Sequence, residues 1–249
     1  MSDETAPGPP PLPSSIELAW GLRERPGRGP KPGLTLERIV AAGIKVALTE
    51  GIGVLSMARV AGELGVGTMS LYRYVTAKDE LLTLMVDTAI GQPPPSVHPP
   101  NDWRSGLTSW AVGVRAAYRR HPWALRVPIS GPPAGPNNIA WLEAGLRALA
   151  ATPLTEQQKV STILLLSGFV RNEATLAADI AAGSPAEPAV ASYGALLARL
   201  TDATRFPALH RVLAAGAFED DDDPDAEFNF GLGCILDGVE KLAGPVRAD

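Results

Sequence analysis

The sequence predicts an all-α protein: an N-terminal three-helix helix-turn-helix module followed by a larger helical domain. Three observations lead there. Apolar residues recur at three- and four-residue steps through most of the chain, with many Ala and Leu and few β-branched alternations. Pro/Gly-rich breaks punctuate it near residues 26–33, 91–100 and 130–136. Between Leu55 and Leu82, LSMARVAGELGVGTMSLYRYVTAKDELL reads as two short helical segments broken at Gly65-Val66-Gly67.

Residues 1–33 read as a disordered leader and basic arm, too rich in Pro and Gly for a packed element. Net charge is −5, an unpromising balance for an anionic partner, but Arg23, Arg25, Arg28 and Lys31 face only Glu24 in the arm. Such an arm suits a minor groove or a phosphate backbone, with a solvated tail as the alternative. Residues 34–92 form the DNA module, opening with a helix from Leu36 to Thr49 that stops at Glu50-Gly51. Ser56 is placed to cap the second helix, and Met57, Val60, Ala61 and Leu64 give it one apolar stripe. Gly65 follows the last apolar position, where a left-handed C′ residue ends a helix. Thr68 to Val75 then makes roughly two turns. Leu71 and Val75 face inward, leaving Thr68, Met69, Ser70, Tyr72, Arg73 and Tyr74 outward. Hydroxyls and a guanidinium suit base edges and phosphates, while rings and a thioether suit thymine methyls. Thr76-Ala77-Lys78-Asp79 reads as a capping box for a helix from Glu80 to Ile90, with Lys78 at its N-terminus as a phosphate clamp.

These features together resemble the TetR (tetracycline-repressor) family of bacterial regulators. The resemblance covers about the first 90 residues. It rests on the Leu36 helix, the Glu50-Gly51 stop, the Ser56 cap, Ala61, Gly65, LYRYV and the Lys-Asp-Glu-Leu-Leu sequel. The tract Trp20-Gly21-Leu22-Arg23-Glu24-Arg25-Pro26 resembles the arm of a subgroup with a tetracycline-repressor-like C-terminal domain. The resemblance implies DNA contacts at Ser56, Met57, Thr68, Met69, Ser70, Tyr72, Arg73, Tyr74 and Lys78. Ala58 and Met69 depart from residues found in some members, so base preference does not carry over.

Residues 93–249 are expected to form the helical ligand-binding and dimerisation domain, after a hinge at Gly91–Pro100 that holds five prolines. Asp102 is placed to cap a helix to about His121, Asn137 one to about Ala151, and Thr155 to begin a long helix to about Ala182. Further segments run from Pro188 to Asp202 and from Phe206 to Ala217, and a last helix spans Asp225 to Leu242, capped by Asp225. In that helix Phe228, Leu232, Ile235, Val239 and Leu242 advance by alternating fours and threes, a heptad seam. Gly231, Cys234 and Gly238 lie beside it as a small-residue stripe. Ser167, Gly168 and Ala174 thin the long helix similarly, so two chains could form a four-helix homodimer interface; packing within one core is the alternative. A dimer would pair two recognition helices on a palindromic double-stranded DNA operator.

The domain holds four of the chain's five tryptophans: Trp103, Trp110, Trp123 and Trp141. They could line an apolar pocket or simply fill the core. Arg171-Asn172-Glu173 interrupts the apolar run of the long helix, as a solvated face, an ion pair or a ligand contact. The family resemblance points to Met85, Trp110, Val114, Trp141, Leu164 and Asn172 as candidates for contact with a small apolar or aromatic effector. The drug-bound metal of the tetracycline repressor needs His and Glu partners, and this sequence shows none at matching places.

No cofactor, metal site or catalytic set is expected. His98, His121 and His210 lack the short spacing of a zinc site, and the run Glu219–Asp223 lacks a calcium-loop pattern. Lone Cys234 excludes an internal disulfide. No apolar run spans a membrane, and the N-terminus lacks a signal-peptide pattern, which fits the cytoplasm. The expected function is a ligand-responsive repressor. An activator or architectural DNA-binding protein, and a helical carrier or enzyme, are the alternatives.

Overall fold

The computed structural model describes residues 12–22, 33–129, 133–182, 191–218 and 223–244, and they contain helices and no strand. The arm residues Arg23, Arg25, Arg28 and Lys31 lie outside them.

The leader expectation is corrected over residues 12–22. A short helix, α1 (Ser14–Ala19), follows Pro13, Ile16 is buried, and the Trp20 indole Nε1–H donates to Ala134 O at 2.8 Å. An apolar face of Ile16 and Ala19 and one indole donor suffice to hold it.

α2 (Leu36–Thr49) starts on Thr35, whose side chain accepts from Arg38 N. α3 (Met57–Leu64) starts on Ser56, which accepts from Arg59 N, and ends at Gly65 with φ 67 and ψ 30, as the cap and stop predict. α4 is shorter than two turns: it covers Thr68–Leu71, and residues 72–74 form a turn. α5 (Lys78–Ile90) begins two residues early. Ala77 at its N-cap offers no side chain, and Thr76 instead donates from N and Oγ1 to Glu80 Oε2 at 2.5 and 2.9 Å.

α6 (Trp103–Arg120) is capped by Asp102, as expected, through Ser105 N. A 3-10 turn (Pro122–Arg126) leads towards α7 (Pro136–Ala148), whose N-cap is Gly135. Asn137 therefore lies within α7 and does not cap it. α8 (Glu156–Ala182), α9 (Ala191–Leu200), α10 (Pro207–Ala214) and α11 (Ala226–Ala243) complete the order. Asp225 makes no side-chain cap to α11; its carboxylate is drawn to Arg115 and Arg119 at 2.7 and 2.9 Å.

Two apolar clusters organise the molecule. The first joins α2, α3, α4 and α5, and Trp123, Ala124 and Val127 pack into it. The expected boundary at residue 92 is thus crossed in packing, because the 3-10 turn sits on the N-terminal core. The second joins α6, α7, α8 and α11 around Trp110, Trp141, Leu166 and Phe228, and Tyr118 touches both clusters. No helix among the described residues is long and apolar enough to cross a membrane.

Candidate nucleic-acid interface

The helix-turn-helix is built on a buried floor. Val60, Leu71 and Val75 are fully buried, so α3 and α4 are held by their inner faces and present the opposite ones. Val66 N donates to Ala61 O, closing the corner after Gly65; a residue with a Cβ would be strained there.

On the outer side Ser56, Met69, Tyr72, Arg73 and Lys78 are exposed, and Thr68 and Ser70 are half-buried. Met69 is 77% and Tyr72 42% exposed. Both precede Arg73 in sequence, on the side of the module away from its core.

Two expected contacts are placed otherwise. Met57 is buried at 7% and belongs to the module's core, as its place in the apolar stripe requires. Tyr74 is half-buried: its hydroxyl donates to Leu34 O at 2.9 Å and its ring packs on the same core. The chain leaves the α-helix after Leu71, with Tyr74 N bonded to Leu71 O at 2.9 Å. That tighter turn rotates Tyr74 inward, where it fastens the start of α2.

An ion lattice stiffens the module behind this face. Arg59 forks onto Glu50, with Nε at 3.1 and 3.0 Å and Nη2 at 2.5 Å, and reaches Glu63 at 3.1 Å. Lys45 meets Glu63 at 2.5 Å. Hydrogen bonding from Arg59 holds the Glu50 carboxyl below its ordinary range, and Lys45 with Arg59 does the same to Glu63. These groups range from partly buried to exposed and stay open to solvent screening, so the lattice sets geometry more than stability. It also occupies Arg59. Arg73 and Lys78, in contrast, enter no ion pair among the described residues.

The recognition face is wired to the second cluster through α5. Asp87 is buried at 4% and stands at the N-terminus of α7. Its Oδ1 accepts from Asn138 N at 2.8 Å and Asn138 Nδ2 at 2.6 Å, its Oδ2 from Asn137 N at 3.3 Å, and its backbone O from Asn137 Nδ2 at 3.0 Å. A helix start lacking its own cap is thus capped by a carboxylate from another helix. Gly135 admits it: a Cβ there would lie 2.2 Å from Asp87 Oδ1. Trp141 Nε1 donates to Gly91 O and Gln92 Nε2 to Asn137 Oδ1, at 2.8 and 2.6 Å, extending the clamp. Sequence reasoning passed over Asp87, although a lone charge inside Leu84-Met85-Val86-Asp87-Thr88-Ala89-Ile90 was a signal.

The expected effector residues scatter. Met85 is fully buried in the first cluster. Trp110, Val114 and Trp141 meet in the second, the two indoles edge to face at 6.0 Å, with Trp110 Nε1 donating to Trp141 O. Leu164 and Asn172 point outward from α8, so they cannot line an interior site with the others. Burial on the opposite face, at Ile163, Leu166 and Val170, fixes that orientation.

The α11 seam is also redistributed. Phe228, Leu232 and Val239 are buried in the chain's own second cluster together with Leu236, and Ile235 packs partly against it. Gly231 is thin for an internal reason: a Cβ would lie 2.6 Å from the Phe169 ring. Cys234 and Gly238 do face outward, in a row with Phe230 and Leu242. On α8 the exposed row is Leu164, Gly168, Asn172, Leu176 and Ile180. Both rows advance by four. The exposed row of α11 is therefore one helical row away from the heptad seam.

Residues 95–243 match the model of the tetracyclin repressor-like C-terminal domain. The chain is 39% identical over 251 residues to the HTH-type transcriptional repressor DrrR1 of Streptomyces coeruleorubidus, covering 94% of this chain and 88% of that one. It is 30% identical over 226 residues to an HTH-type transcriptional regulator of Saccharopolyspora erythraea, covering 90% and 92%. Among solved structures, the TetR family protein ActR of Streptomyces coelicolor in complex with actinorhodin superposes with a TM-score of 0.74 at 29% identity, covering 85% of this chain and 99% of that one. Apo ActR gives 0.73 at 29% identity, covering 86% and 99%.

Proposed function

The chain belongs to the TetR family of transcriptional regulators, and from that premise we propose that it is a repressor that binds a palindromic operator as a homodimer and is released by a small apolar or aromatic effector. It works by binding, in the cytoplasm. The observation that carries this reading is the exposed set Ser56, Met69, Tyr72, Arg73 and Lys78 on a capped helix-turn-helix. In the repressor, Arg73 and Lys78 take phosphates or a base edge, Met69 and Tyr72 take thymine methyls, and Ser56 takes a phosphate. Thr68 and Ser70 add hydroxyls at the rim, and the basic arm adds charge.

Two recognition helices must stand roughly 35 Å apart to read successive half-sites. The outward rows of α8 and α11 are the proposed dimer seam, their Gly168 and Gly238 letting partner helices approach closely: a Cβ at either would meet nothing within 4 Å among the described residues. Placing a carboxylate at Leu176 (Leu176→Glu) should yield monomers in sedimentation velocity. A dimer as tight as the parent's would move the seam elsewhere.

The effector role follows ActR, which was solved with actinorhodin bound. By the same logic the effector here sits among α5 to α8 and shifts α5.

The decisive experiment is fluorescence anisotropy on DNA upstream of the gene, with a scrambled control, at two salt concentrations. Specific, salt-sensitive binding at two chains per site is expected. Arg73→Ala and Tyr72→Ala should each cost about 1–3 kcal/mol of operator affinity with the dimer intact. Equal binding to both DNAs would overturn the reading.

A further inference from the structure

Arg171, Asn172 and Glu173 interrupt the apolar run of α8, and the fold gives the three side chains different tasks. Glu173 takes Arg115 of α6, Asn172 faces outward in the row proposed as the dimer seam, and Arg171 reaches the 3-10 turn that follows α6. Its Nη2 donates to Leu125 O at 3.0 Å and to Val127 O at 3.1 Å, and its guanidinium carbon lies 5.8 Å from the centre of the Tyr118 ring. Among the described residues no carboxylate pairs with it. The last carbonyls of a helical turn lack partners within it, and a half-buried guanidinium that takes two of them holds main chain in place through charge-assisted bonds. Arg126 and Asp179 add an exposed clasp about two helical turns further along α8.

The turn held this way is embedded in the other half of the molecule. Trp123, Ala124 and Val127 belong to the core of the DNA module, so Arg171 joins α8 to that core across a single side chain. Two spans connect the module to the second cluster. One is α5, clamped to α7 at Asp87. The other is the 3-10 turn, whose near end continues α6 at His121 and whose far end Arg171 holds to α8. A body attached along one span can roll about it, and a second attachment off that axis removes the roll. Because α8 carries the proposed seam, its two copies are fixed to each other, and the strap refers each module's roll to the two-fold axis.

Resting on the repressor reading above, we propose that Arg171 is a positioning residue that sets which half-site spacing the dimer accepts. It touches no DNA. Its guanidinium fixes the 3-10 turn on α8, the turn fixes the module's core, and that core holds Val60, Leu71 and Val75 beneath the recognition face. One base pair added between half-sites displaces the second by about 3.4 Å and turns it by about 34°. Modules that cannot roll reject the altered spacing. Modules that can roll tolerate it and hold the native spacing less often.

The test uses the full-length chain and two variants: Arg171→Met, which keeps an unbranched stem and removes the donors, and Arg171→Lys, which keeps one charge and no planar fork. Anisotropy is read on the upstream fragment, its half-sites located by footprinting, and on versions with one base pair added or removed at the centre. The parent should lose about tenfold on each altered spacing. Arg171→Met should lose about tenfold on the native spacing, through the fraction of dimers correctly posed, while its penalty for the altered ones shrinks to about threefold. Binding to an isolated half-site should not change, and Arg171→Lys should fall between, carrying the comparison if Arg171→Met does not fold. A second measurement needs no DNA. Nitroxides on Leu48→Cys, an exposed position of α2, in a Cys234→Ser background report the distance between the two modules by double electron-electron resonance. The distribution should be narrow with Arg171 in place and broad in Arg171→Met. A lower denaturation midpoint with the parent's spacing penalty and a narrow distribution would make Arg171 a residue of stability alone and overturn the proposal, as would a parent that accepts all three spacings alike. Failure of the repressor reading looks different: the parent shows no preference for the upstream DNA, yet Arg171→Met still broadens the distribution, and the positioning role stands.

Discussion

Arg115→Met should lower the stability of the protein by about 3 kcal/mol, the cost of stranding partners of a buried cation. Arg115 projects from α6 with its side chain 6% exposed. Its Nε and Nη2 grip Glu173 of α8 at 2.8 and 2.6 Å. Nη1 reaches Asp225 at 2.7 Å, and the guanidinium carbon lies 4.2 Å over the Phe228 ring of α11. One side chain thus ties three helices of the second cluster. Lysine offers one compact charge and no planar fork, so Arg115→Lys should recover little. Urea denaturation measures the loss, and a change under about 1 kcal/mol would show the network to be ornamental. The same network predicts an acid limb. Hydrogen bonds from Arg119 and then Arg115 hold the Asp225 carboxyl below its ordinary range. A depressed folded pKa gives stability that is present above the unfolded carboxylate value, about 3.9, and is lost as pH falls through the folded one. The denaturation midpoint should therefore fall below about pH 4, and fall less steeply in Arg115→Met.

What was legible in the sequence was local. The Ser56 cap, the left-handed Gly65, the Asp102 cap and the long α8 follow from side chains that act within a few residues of their own position. The all-helical architecture follows from periodicity. What was not legible required knowing which element comes near which. Asn137 looks like a cap because the true cap, Asp87, lies fifty residues away. Asp225 looks like a cap because Arg115 and Arg119 are out of sight of its local sequence. Tyr74 looks outward on an extended helix, but the helix ends at Leu71 and a carbonyl at Leu34 accepts its hydroxyl. For α11, a heptad count and a step of four differ by one row. Periodicity alone does not say which row a chain keeps for itself: the core took Phe228, Leu232, Leu236 and Val239. Helical spacing is equally silent for the candidate effector contacts on α8: Leu164 and Asn172 share a helix with buried residues but not a face.

Asp87→Ala should separate the two halves of the molecule's behaviour. Without the carboxylate, Asn137 N and Asn138 N at the start of α7 lose their acceptor, and the methyl group leaves space where Gly135 made room for Oδ1. Losing charge-assisted bonds at a buried helix start costs about 2–3 kcal/mol. The damage should be local, because each cluster keeps its own core: amide exchange should quicken at residues 137–141 and not in α3 or α8. The consequence for the proposed repressor is larger than the loss of stability. α5 carries the recognition segment at one end and Asp87 near the other, so the clamp fixes the angle from which the two half-sites are spaced. With it gone, α5 is free to sample tilts in the absence of effector, and only a fraction of dimers hold the operator spacing at any moment. Apparent affinity falls by that fraction, and the effector has less left to change. Operator binding should therefore weaken, and effector-induced release should shrink with it. Asp87→Asn keeps one acceptor oxygen but brings an amide against donors, and should fall between the two. Unchanged operator affinity together with fast exchange at the start of α7 would mean that the clamp holds a helix without governing the spacing.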